Sequence, residues 1–550
     1  MSRWLNCYVL AGLLVTTAAT AAVPTVRTGN GLLAGKTDGT ALAYLGIPYA
    51  AAPIGANRWR APQPAANWSG VREAQAFGHS CMQTPFSGRP PGQGKTASVN
   101  PGSAGPRPAA GAGTGTADAP ADGGTATSRS QPARTPGPGF SEDCLFLNVW
   151  TPDVAPKTRL PVLVFFHGGG WNTGSGASTD YAGASMAGQG IVMVTVNFRL
   201  GVFGFLANQW LLDEAGDTGN YGLMDQVAAL QWVKRNIAAF GGDPDQVTIA
   251  GQSSGAAAVR DLASIPSTDG LFERVIAEST PFRGGGPIPL AEALERGQRF
   301  TQAAHAGSLA DLRVLSADAL QKLVPGGLPR ENPMGFLPVS GDRFFPADAK
   351  ERENLPMIAG SNSRENRMSG IAEWTVNDAA GLQKMLQNHF KQSASLFAPS
   401  YQPALYGGSV NAAAHAILAD GPAAEVALRQ HARSASAAPV YTYLWTHALP
   451  GEVAAFHASE LPYVYANLDR DPRHSYTAED HAISAKINAY WVNFIKTGDP
   501  NGPGLPQWPE ARSGLTMELG NHFAPWRMFT ATKLAAYKTY AAHGGQFGLP

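Results

Sequence analysis

The sequence predicts an α/β fold with a mainly parallel central sheet flanked by helices. Short apolar runs alternate with stretches of helical spacing, which is the pattern of repeated strand, helix and strand units. One of these strands leads into a Gly-x-Ser-x-Gly motif that a helical pattern follows. The six runs that indicate buried strands are Val162–Phe166, Ile191–Phe198, Val247–Ala250, Val275–Ala277, Met357–Ala359 and Val440–Trp445.

The segment between the second and third of these strands is predicted to be a helix. Asp225 is expected in its first turn and Lys234 near its end, where each charge opposes the helix dipole. Gly241 and Pro244 are expected to end the helix. Apolar side chains recur every three or four residues and form one core-facing stripe, namely Val227, Leu230, Val233, Ile237 and Phe240.

Composition and charge narrow the function classes. Of the 550 residues, 44% are hydrophobic and 15% are charged, so the chain can bury a sizeable core and is not wholly disordered or collagen-like. The 41 Lys and Arg residues balance the 41 Asp and Glu residues. Because a neutral chain has no global attraction to nucleic acid or to an anionic membrane, neither is expected as a partner.

The first 22 residues have the three-part layout of a secretory signal peptide. Arg3 precedes the apolar stretch Cys7–Val15, and small residues follow through Ala22. Cleavage near residues 21–22 would leave residues 23–550 as a single secreted or periplasmic domain. The alternative is a membrane anchor, but the apolar stretch is shorter than the roughly 20 residues that span a bilayer. Stable membrane insertion is therefore not expected.

Cleavage would leave two cysteines, Cys81 and Cys144, which an oxidising compartment favours as a disulfide. Two unrelated buried thiols are the alternative.

Between the two cysteines, 42 of the 53 residues from 87 to 139 are Gly, Pro, Ala, Ser or Thr. Such a segment buries too little apolar surface to offset its ordering entropy, so residues 87–139 are expected to form a disordered insertion.

Ser253 is the predicted nucleophile. It lies at the centre of Gly251-Gln252-Ser253-Ser254-Gly255, between a predicted strand and a predicted helix. In this setting the serine stands on a strained turn, and glycines flank it because side chains there would collide with neighbouring backbone. The alternative is an ordinary tight turn. Ser254 is the nearest rival, but no glycine lies two residues before it.

A glycine-rich loop follows the strand Val162–Phe166. Its sequence is His167-Gly168-Gly169-Gly170-Trp171. Successive glycines allow backbone N–H groups to converge on one point, and acyl transfer needs such donors for the oxyanion that forms during the reaction. A flexible turn or a phosphate-binding loop is the alternative. No Gly-Lys-Ser/Thr or dinucleotide-binding glycine pattern accompanies the loop, which disfavours phosphate binding.

With these motifs, the chain resembles the type-B carboxylesterase and cholinesterase family of α/β-hydrolases. The resemblance extends from about Val26 to the C-terminal segment and excludes the insertion. Besides the serine turn and the glycine loop, the matching stretches are Gly46–Ala50, Ser141–Val149, Asn197–Gly201, Gly219–Gln226, Phe240–Pro244, Tyr490–Phe494 and Gly498–Asn501.

The resemblance implies an α/β-hydrolase fold with a large twisted sheet and a deep active-site gorge. It also implies ester hydrolysis through an acyl-enzyme on Ser253. The motif positions assign the oxyanion-hole N–H groups to Gly169, Gly170 and Ser254. The resemblance further implies that Cys81 and Cys144 pair across a loop near the gorge rim.

The base and the acid are predicted from the order of strands and from the resemblance. His457 follows the strand Val440–Trp445 and occupies the position of the family's catalytic histidine, with His447 and His481 as rivals. Glu365 follows the strand Met357–Ala359 and matches the family's acid. Its alternative role is a surface ion pair with Arg364 or Arg367. The order serine, acid, histidine is that of α/β-hydrolases.

Two positions depart from the family pattern. Gln252 precedes the nucleophile where relatives commonly have Glu, and Glu278 stands in the next strand where relatives commonly have Gln. The changes resemble an exchange of a carboxylate and an amide between adjacent strands. If the two side chains meet, the exchange keeps one hydrogen bond and moves the charge, which is expected to weaken binding of cationic alcohols.

Together, these observations predict an exported serine carboxylesterase that acts on a small-molecule ester and needs neither a metal nor an organic cofactor. One alternative is a non-catalytic adhesion protein of the same fold, although relatives of that kind usually lack part of the triad. Another keeps the chemistry but directs it to a lipid, lactone, amide or polyester bond.

Overall fold

The computed structural model describes residues 23–83, 139–280, 287–324, 332, 334–365, 375–432 and 437–545. The predicted signal peptide, residues 1–22, lies outside the described residues, and so does the predicted insertion apart from Gly139. Within the described ranges, no helix has both the length and the apolar character needed to cross a bilayer.

Most strands of the described chain belong to one large sheet. In chain order the strands are β1 (Thr25–Thr28), β2 (Gly31–Ala34), β3 (Lys36–Asp38), β4 (Ala41–Pro48), β5 (Val71–Glu73), β6 (Ser80–Cys81), β7 (Phe140–Ser141), β8 (Phe146–Thr151), β9 (Leu160–Phe166), β10 (Val192–Val196), β11 (Gly242–Gln252), β12 (Arg274–Glu278), β13 (Ile288–Pro289), β14 (Val339–Ser340), β15 (Met357–Asn362), β16 (Val440–Trp445), β17 (Thr516–Leu519) and β18 (Ala524–Trp526).

The helices connect and cover these strands. They are α1 (Ala184–Gly188), α2 (Gly201–Phe205), α3 (Gln209–Ala215), α4 (Tyr221–Asn236), α5 (Ser254–Leu262), α6 (Leu290–Ala303), α7 (Leu309–Val314), α8 (Ala317–Lys322), α9 (Ala379–Phe390), α10 (Ala394–Phe397), α11 (Val410–Ala432), α12 (Leu461–Val464), α13 (Ala478–Thr497) and α14 (Ala531–Ala542).

The central sheet has the strand order β18-β17-β16-β15-β12-β11-β9-β10-β8-β4-β3 in the described chain. The strands from β17 to β10 run parallel to one another. Antiparallel pairs close both edges, with β18 at one edge and β8, β4 and β3 at the other. The predicted α/β fold with a mainly parallel sheet is therefore confirmed, and the antiparallel edges make the sheet mixed.

Both faces of the parallel part are buried, as a sheet covered by crossover helices requires. Along β9, Val162, Val164 and Phe166 belong to the apolar core on one face, and Leu163 and Phe165 belong to the core on the other. Residues of α4 and α5 complete the first core, and residues of α13 complete the second. A third apolar cluster joins α9, α10, α11 and α14.

The six predicted strands correspond to β9, β10, β11, β12, β15 and β16, although β11 begins already at Gly242. The predicted helix corresponds to α4 and the 3-10 helix Ile237–Phe240 that follows it, and its apolar stripe lies in the core. The expectation for Asp225 is wrong, because α4 begins at Tyr221 and Asp225 lies beyond the first turn. Asp225 is fully buried and accepts hydrogen bonds from Arg199 Nε and Nη2, both at 2.7 Å.

Candidate active site

The predicted site residues meet at the carboxyl ends of the central parallel strands. Strand β11 leads into Ser253, and β9 leads into the glycine loop. Glu365 follows β15, and His457 lies on the segment between β16 and α12. Open α/β sheets bind ligands at this edge because the loops from neighbouring parallel strands converge there.

Ser253 occupies a strained turn between β11 and α5. Its backbone has φ 59° and ψ −126°, a conformation that residues other than glycine rarely adopt. This strain costs roughly 1–3 kcal/mol. The flanking glycines are needed sterically. A Cβ at Gly251 would lie 2.3 Å from the carbonyl oxygen of Gly255, and one at Gly255 would lie 2.1 Å from that of Phe166. The Ser253 N–H donates to the Glu278 carbonyl oxygen at 2.9 Å and fixes the turn.

Ser253, His457 and Glu365 form one line of hydrogen bonds. Ser253 Oγ lies 2.9 Å from His457 Nε2, and His457 Nδ1 lies 2.5 Å from Glu365 Oε2. A carboxylate only accepts hydrogen bonds, so Nδ1 carries the hydrogen and Nε2 is left to accept the serine hydroxyl. This is the tautomer in which an imidazole can take a proton from serine.

Asn362 and Glu460 extend this line behind Glu365, and neither residue was predicted to belong to the site. Asn362 N donates to Glu365 Oε1 at 2.6 Å, while Asn362 Nδ2 donates to Glu460 Oε2 at 2.5 Å and to the Phe456 carbonyl oxygen at 2.7 Å. Glu365 and Glu460 are both buried. Their positions in the sequence could have indicated them, since Asn362 ends a strand and Glu460 lies three residues after His457.

Electrostatics favour the protonated form of His457. Burial lowers the pKa of this imidazole, but the Glu365 carboxylate, its hydrogen bond and the Glu460 carboxyl outweigh burial and raise the pKa above its ordinary value. Burial, with the charge of Glu365, raises the pKa of Glu460 to about 7. An imidazole with a raised pKa is a stronger base, which suits transfer of a proton from a hydroxyl.

The glycine loop presents free N–H groups beside Ser253. Within the described chain, the N–H groups of Gly169 and Gly170 donate to no acceptor. The N–H group of Ser254, the first residue of α5, has no acceptor inside the helix either. By contrast, the Trp171 N–H donates to Ser254 Oγ at 3.3 Å. Three N–H groups thus remain available for an anion.

The rival histidines have other partners. His447 lies 2.8 Å from Asp480 Oδ1 and 3.0 Å from Asn521 Oδ1. His481 is an exposed side chain that lies 3.5 Å from Asp469 Oδ1. Neither arrangement includes Ser253, so the geometry favours His457. The Glu365 carboxylate contacts His457 Nδ1. The alternative considered for Glu365 was a surface ion pair.

The side chains of Gln252 and Glu278 do not meet, so the condition for an exchanged hydrogen bond between them is not fulfilled. The two residues are register partners on β11 and β12, yet their side chains point to different groups. Glu278 Oε1 accepts from Trp491 Nε1 at 2.8 Å, and Tyr465 Oη lies 3.2 Å from both carboxyl oxygens. Gln252 Nε2 instead lies 3.3 Å from His457 Nε2. Burial raises the pKa of Glu278 well above its ordinary value, and Glu460 adds to this effect.

A disulfide joins Cys81 and Cys144, whose Cα atoms are 4.9 Å apart. It links β6 to the segment between β7 and β8, and nearby Gln83 contacts the segment after the glycine loop, since its Nε2 donates to the Gly174 carbonyl oxygen at 2.8 Å. In the described ranges, no group of three or more His, Cys, Asp or Glu side chains is arranged to hold a metal ion.

Known proteins resemble this chain over most of its length. Residues 22–537 match the model of the carboxylesterase family. The chain is 32% identical to phenmedipham hydrolase of Pseudarthrobacter oxydans, with 89% of this chain and 93% of that protein covered. It is 30% identical to para-nitrobenzyl esterase of Bacillus subtilis, with 90% and 94% covered. A solved structure of a PNB esterase matches with a TM-score of 0.73 at 28% identity, covering 94% of this chain and 99% of that one.

The family match over residues 22–537 includes the central sheet up to β18 and the strands that lead to Ser253, Glu365 and His457, and the structural match covers 94% of the chain. The relatives named as a hydrolase and as an esterase are 32% and 30% identical to this chain. The chain thus belongs to the carboxylesterase family: it has the α/β-hydrolase fold and is a carboxylic ester hydrolase.

Proposed function

We propose that Ser253, His457 and Glu365 are the catalytic triad with which this chain hydrolyses a small-molecule ester. The observation that carries the proposal is the line of hydrogen bonds from Ser253 Oγ through His457 to Glu365, at 2.9 Å and 2.5 Å. The raised pKa of His457 supports the role of a base. We propose in addition that the N–H groups of Gly169, Gly170 and Ser254 form the oxyanion hole.

In the first half of the reaction, Ser253 Oγ attacks the ester carbonyl carbon and its proton passes to His457 Nε2. The carbonyl oxygen becomes an anion that the three N–H groups stabilise, and one such donor is typically worth about 3–4 kcal/mol. The carbon–oxygen bond to the alcohol then breaks, and His457 gives its proton to the departing oxygen. The products of this half are an acyl-enzyme and a free alcohol.

In the second half, water replaces the alcohol. His457 Nε2 takes a proton from the water molecule as its oxygen attacks the acyl carbon. The bond to Ser253 breaks, the proton returns to Oγ, and the carboxylic acid leaves. Throughout both halves, Glu365 keeps the imidazole in the required tautomer and stabilises the imidazolium.

The experiment compares the wild-type chain with Ser253→Ala on a para-nitrobenzyl ester, a substrate class that the name of one relative suggests. The variant is expected to lose roughly 10⁴-fold or more in kcat. Ser264→Ala is the matched control, since it removes a hydroxyl just beyond the other end of α5, where Ser264 Oγ donates to the Arg260 carbonyl oxygen. Undiminished turnover by Ser253→Ala would refute the triad.

We also propose that the chain is exported and acts as one domain spanning residues 23–550. The leader-like layout of residues 1–22 and the Cys81–Cys144 disulfide support export. The test is to express the full chain in a bacterial host and measure the mass of the purified product. A mass that lacks the first 21 or 22 residues is expected, and an intact N-terminus in an exported product would contradict cleavage.

A further inference from the structure

Gln252 contacts His457 at the nitrogen that also contacts Ser253. Its Nε2 lies 3.3 Å from His457 Nε2, while Ser253 Oγ lies 2.9 Å from the same nitrogen. Because Nδ1 carries the hydrogen toward Glu365, His457 Nε2 offers a single lone pair. The Ser253 hydroxyl and the Gln252 amide N–H therefore share one acceptor.

We propose that Gln252 is a positioning residue that sets the orientation and the basicity of His457, an inference that rests on the proposed triad. Its amide donates to Nε2 of the neutral imidazole, and a donor at this nitrogen favours the neutral form over the imidazolium. Gln252 thus opposes the effect of Glu365, which favours the imidazolium from the other side of the ring.

The surroundings of His457 make this contact distinctive. The carboxylate of Glu365, which follows β15, contacts the ring at Nδ1. Glu460, which precedes α12, is linked to Glu365 through Asn362. The groups on the Nε2 side, Ser253 and Gln252, are uncharged.

Two further groups lie near these acids. Tyr443 on β16 has a buried hydroxyl whose pKa is raised well above its ordinary value, by burial first and then by the charges of Glu460, Glu278 and Glu365. Glu278 on β12 is enclosed by Trp491 and Tyr465. Neither of them contacts Nε2 of His457 in the described chain, so Gln252 is the group whose exchange alters this nitrogen most directly.

Two substitutions at Gln252 distinguish the loss of the contact that orients His457 from the effect of a charge next to Nε2. Gln252→Glu places a carboxylate next to Nε2, which accepts a hydrogen bond from the imidazolium and favours it. Gln252→Met keeps the length of the side chain but removes the N–H donor. If Gln252 acts as proposed, both variants make His457 easier to protonate, and the carboxylate has the larger effect.

The measurement is kcat/KM for a neutral ester as a function of pH. The acid limb is expected to move to higher pH by about one unit or more in Gln252→Glu, as for a charge within 4–6 Å, and by less in Gln252→Met. Gln252→Met is also expected to lose roughly 10-fold in kcat with little change in KM, because the ring is less well held. A residue with a merely structural role would leave the position of the acid limb unchanged.

Gln246→Glu is the matched control, since it adds the same charge near the opposite end of β11. It is expected to retain the wild-type pH profile. Titration of Ser253 with a serine-directed phosphonate counts the folded sites in each variant, so poor folding is not mistaken for an altered base. Wild-type acid limbs in both Gln252 variants would overturn the inference while leaving the triad intact. Retained turnover by Ser253→Ala would instead refute the proposed function.

Discussion

Glu365 and His457 are 92 positions apart in the chain, yet Glu365 Oε2 lies 2.5 Å from His457 Nδ1. The carboxylate is fully buried, while the imidazole keeps 21% of its side chain exposed. Glu365 is thus shielded from solvent, while part of the His457 ring remains accessible. A hydrogen bond to a charged group is stronger in a site shielded from water than on the protein surface.

Glu365→Gln is expected to lower kcat on the order of 10³-fold to 10⁴-fold, because a neutral amide no longer stabilises the imidazolium or enforces the tautomer. The acid limb of kcat/KM should also move. Glu365 raises the pKa of His457 against the effect of burial, so removing the carboxylate lowers this pKa. Since His457 must be neutral to accept a proton, the remaining activity should persist to lower pH than in the wild type.

The pH dependence of kcat/KM for wild type and Glu365→Gln checks this prediction. Glu479→Gln, which neutralises an exposed carboxylate in the first turn of α13, serves as the control and should not change the profile. An acid limb that stays in place, or moves to higher pH, would show that Glu365 does not govern the basicity of His457.

Much of the site could be predicted from the sequence because the signals are local. The strand before Ser253 and the glycines around it are contiguous in the chain, and their steric reasons are visible in the contacts of Gly251 and Gly255. His457 and Glu365 were identified by the strands they follow and by the resemblance. Parallel strands bring their carboxyl ends to one edge, so residues distant in sequence were expected to meet there.

Other features depend on packing that a sequence pattern does not encode. Gln252 and Glu278 are neighbours in register, but the direction of each side chain is set by Trp491, Tyr465 and His457, which come from distant elements. Asp225 was expected to face the helix dipole, and its actual partner, Arg199, comes from the segment after β10. Neither contact leaves a periodic trace in the sequence.

Ser254→Ala is expected to loosen the glycine loop. Trp171 has φ 65°, a strained value for a residue with a side chain, and its N–H donates to Ser254 Oγ at 3.3 Å. Leaving this buried N–H without an acceptor costs about 1–3 kcal/mol, and a loop that relaxes would move Gly169 and Gly170 away from the oxyanion. We expect roughly a 10-fold fall in kcat with little change in KM.

The affinity of a trifluoromethyl ketone, which mimics the tetrahedral intermediate, should weaken in parallel with kcat. Ser264→Ala again provides the control for loss of a hydroxyl close to the same helix. If Ser254→Ala kept both kcat and inhibitor affinity, the hydroxyl would have no part in holding the loop.

Asp225→Asn is expected to destabilise the fold without touching the predicted triad. Arg199 and Asp225 are buried, and two guanidinium nitrogens contact the carboxylate at 2.7 Å. Removing one partner of a buried ion pair leaves the other charge uncompensated and costs roughly 3–5 kcal/mol. The double variant Arg199→Met, Asp225→Leu should lose much less, because it buries no unpaired charge. Urea unfolding of the three proteins checks this order, and a double variant less stable than Asp225→Asn would contradict it.

Reduction of the Cys81–Cys144 disulfide is expected to lower stability more than activity. The two cysteines enclose a segment with a sequence separation of 63 residues, and the loss of such a cross-link costs about 4 kcal/mol in the chain-entropy model. The disulfide takes no part in the line of hydrogen bonds from Ser253 to Glu365, although Gln83 contacts the segment after the glycine loop at Gly174. The midpoint of urea unfolding should therefore fall in the Cys81→Ser, Cys144→Ser variant, while kcat at moderate temperature stays within a few-fold of wild type. A reducing agent should shift the wild-type midpoint of unfolding to that of the variant and leave the midpoint of the variant unchanged. If the wild type had the same midpoint with and without reductant, the cross-link would not stabilise this chain.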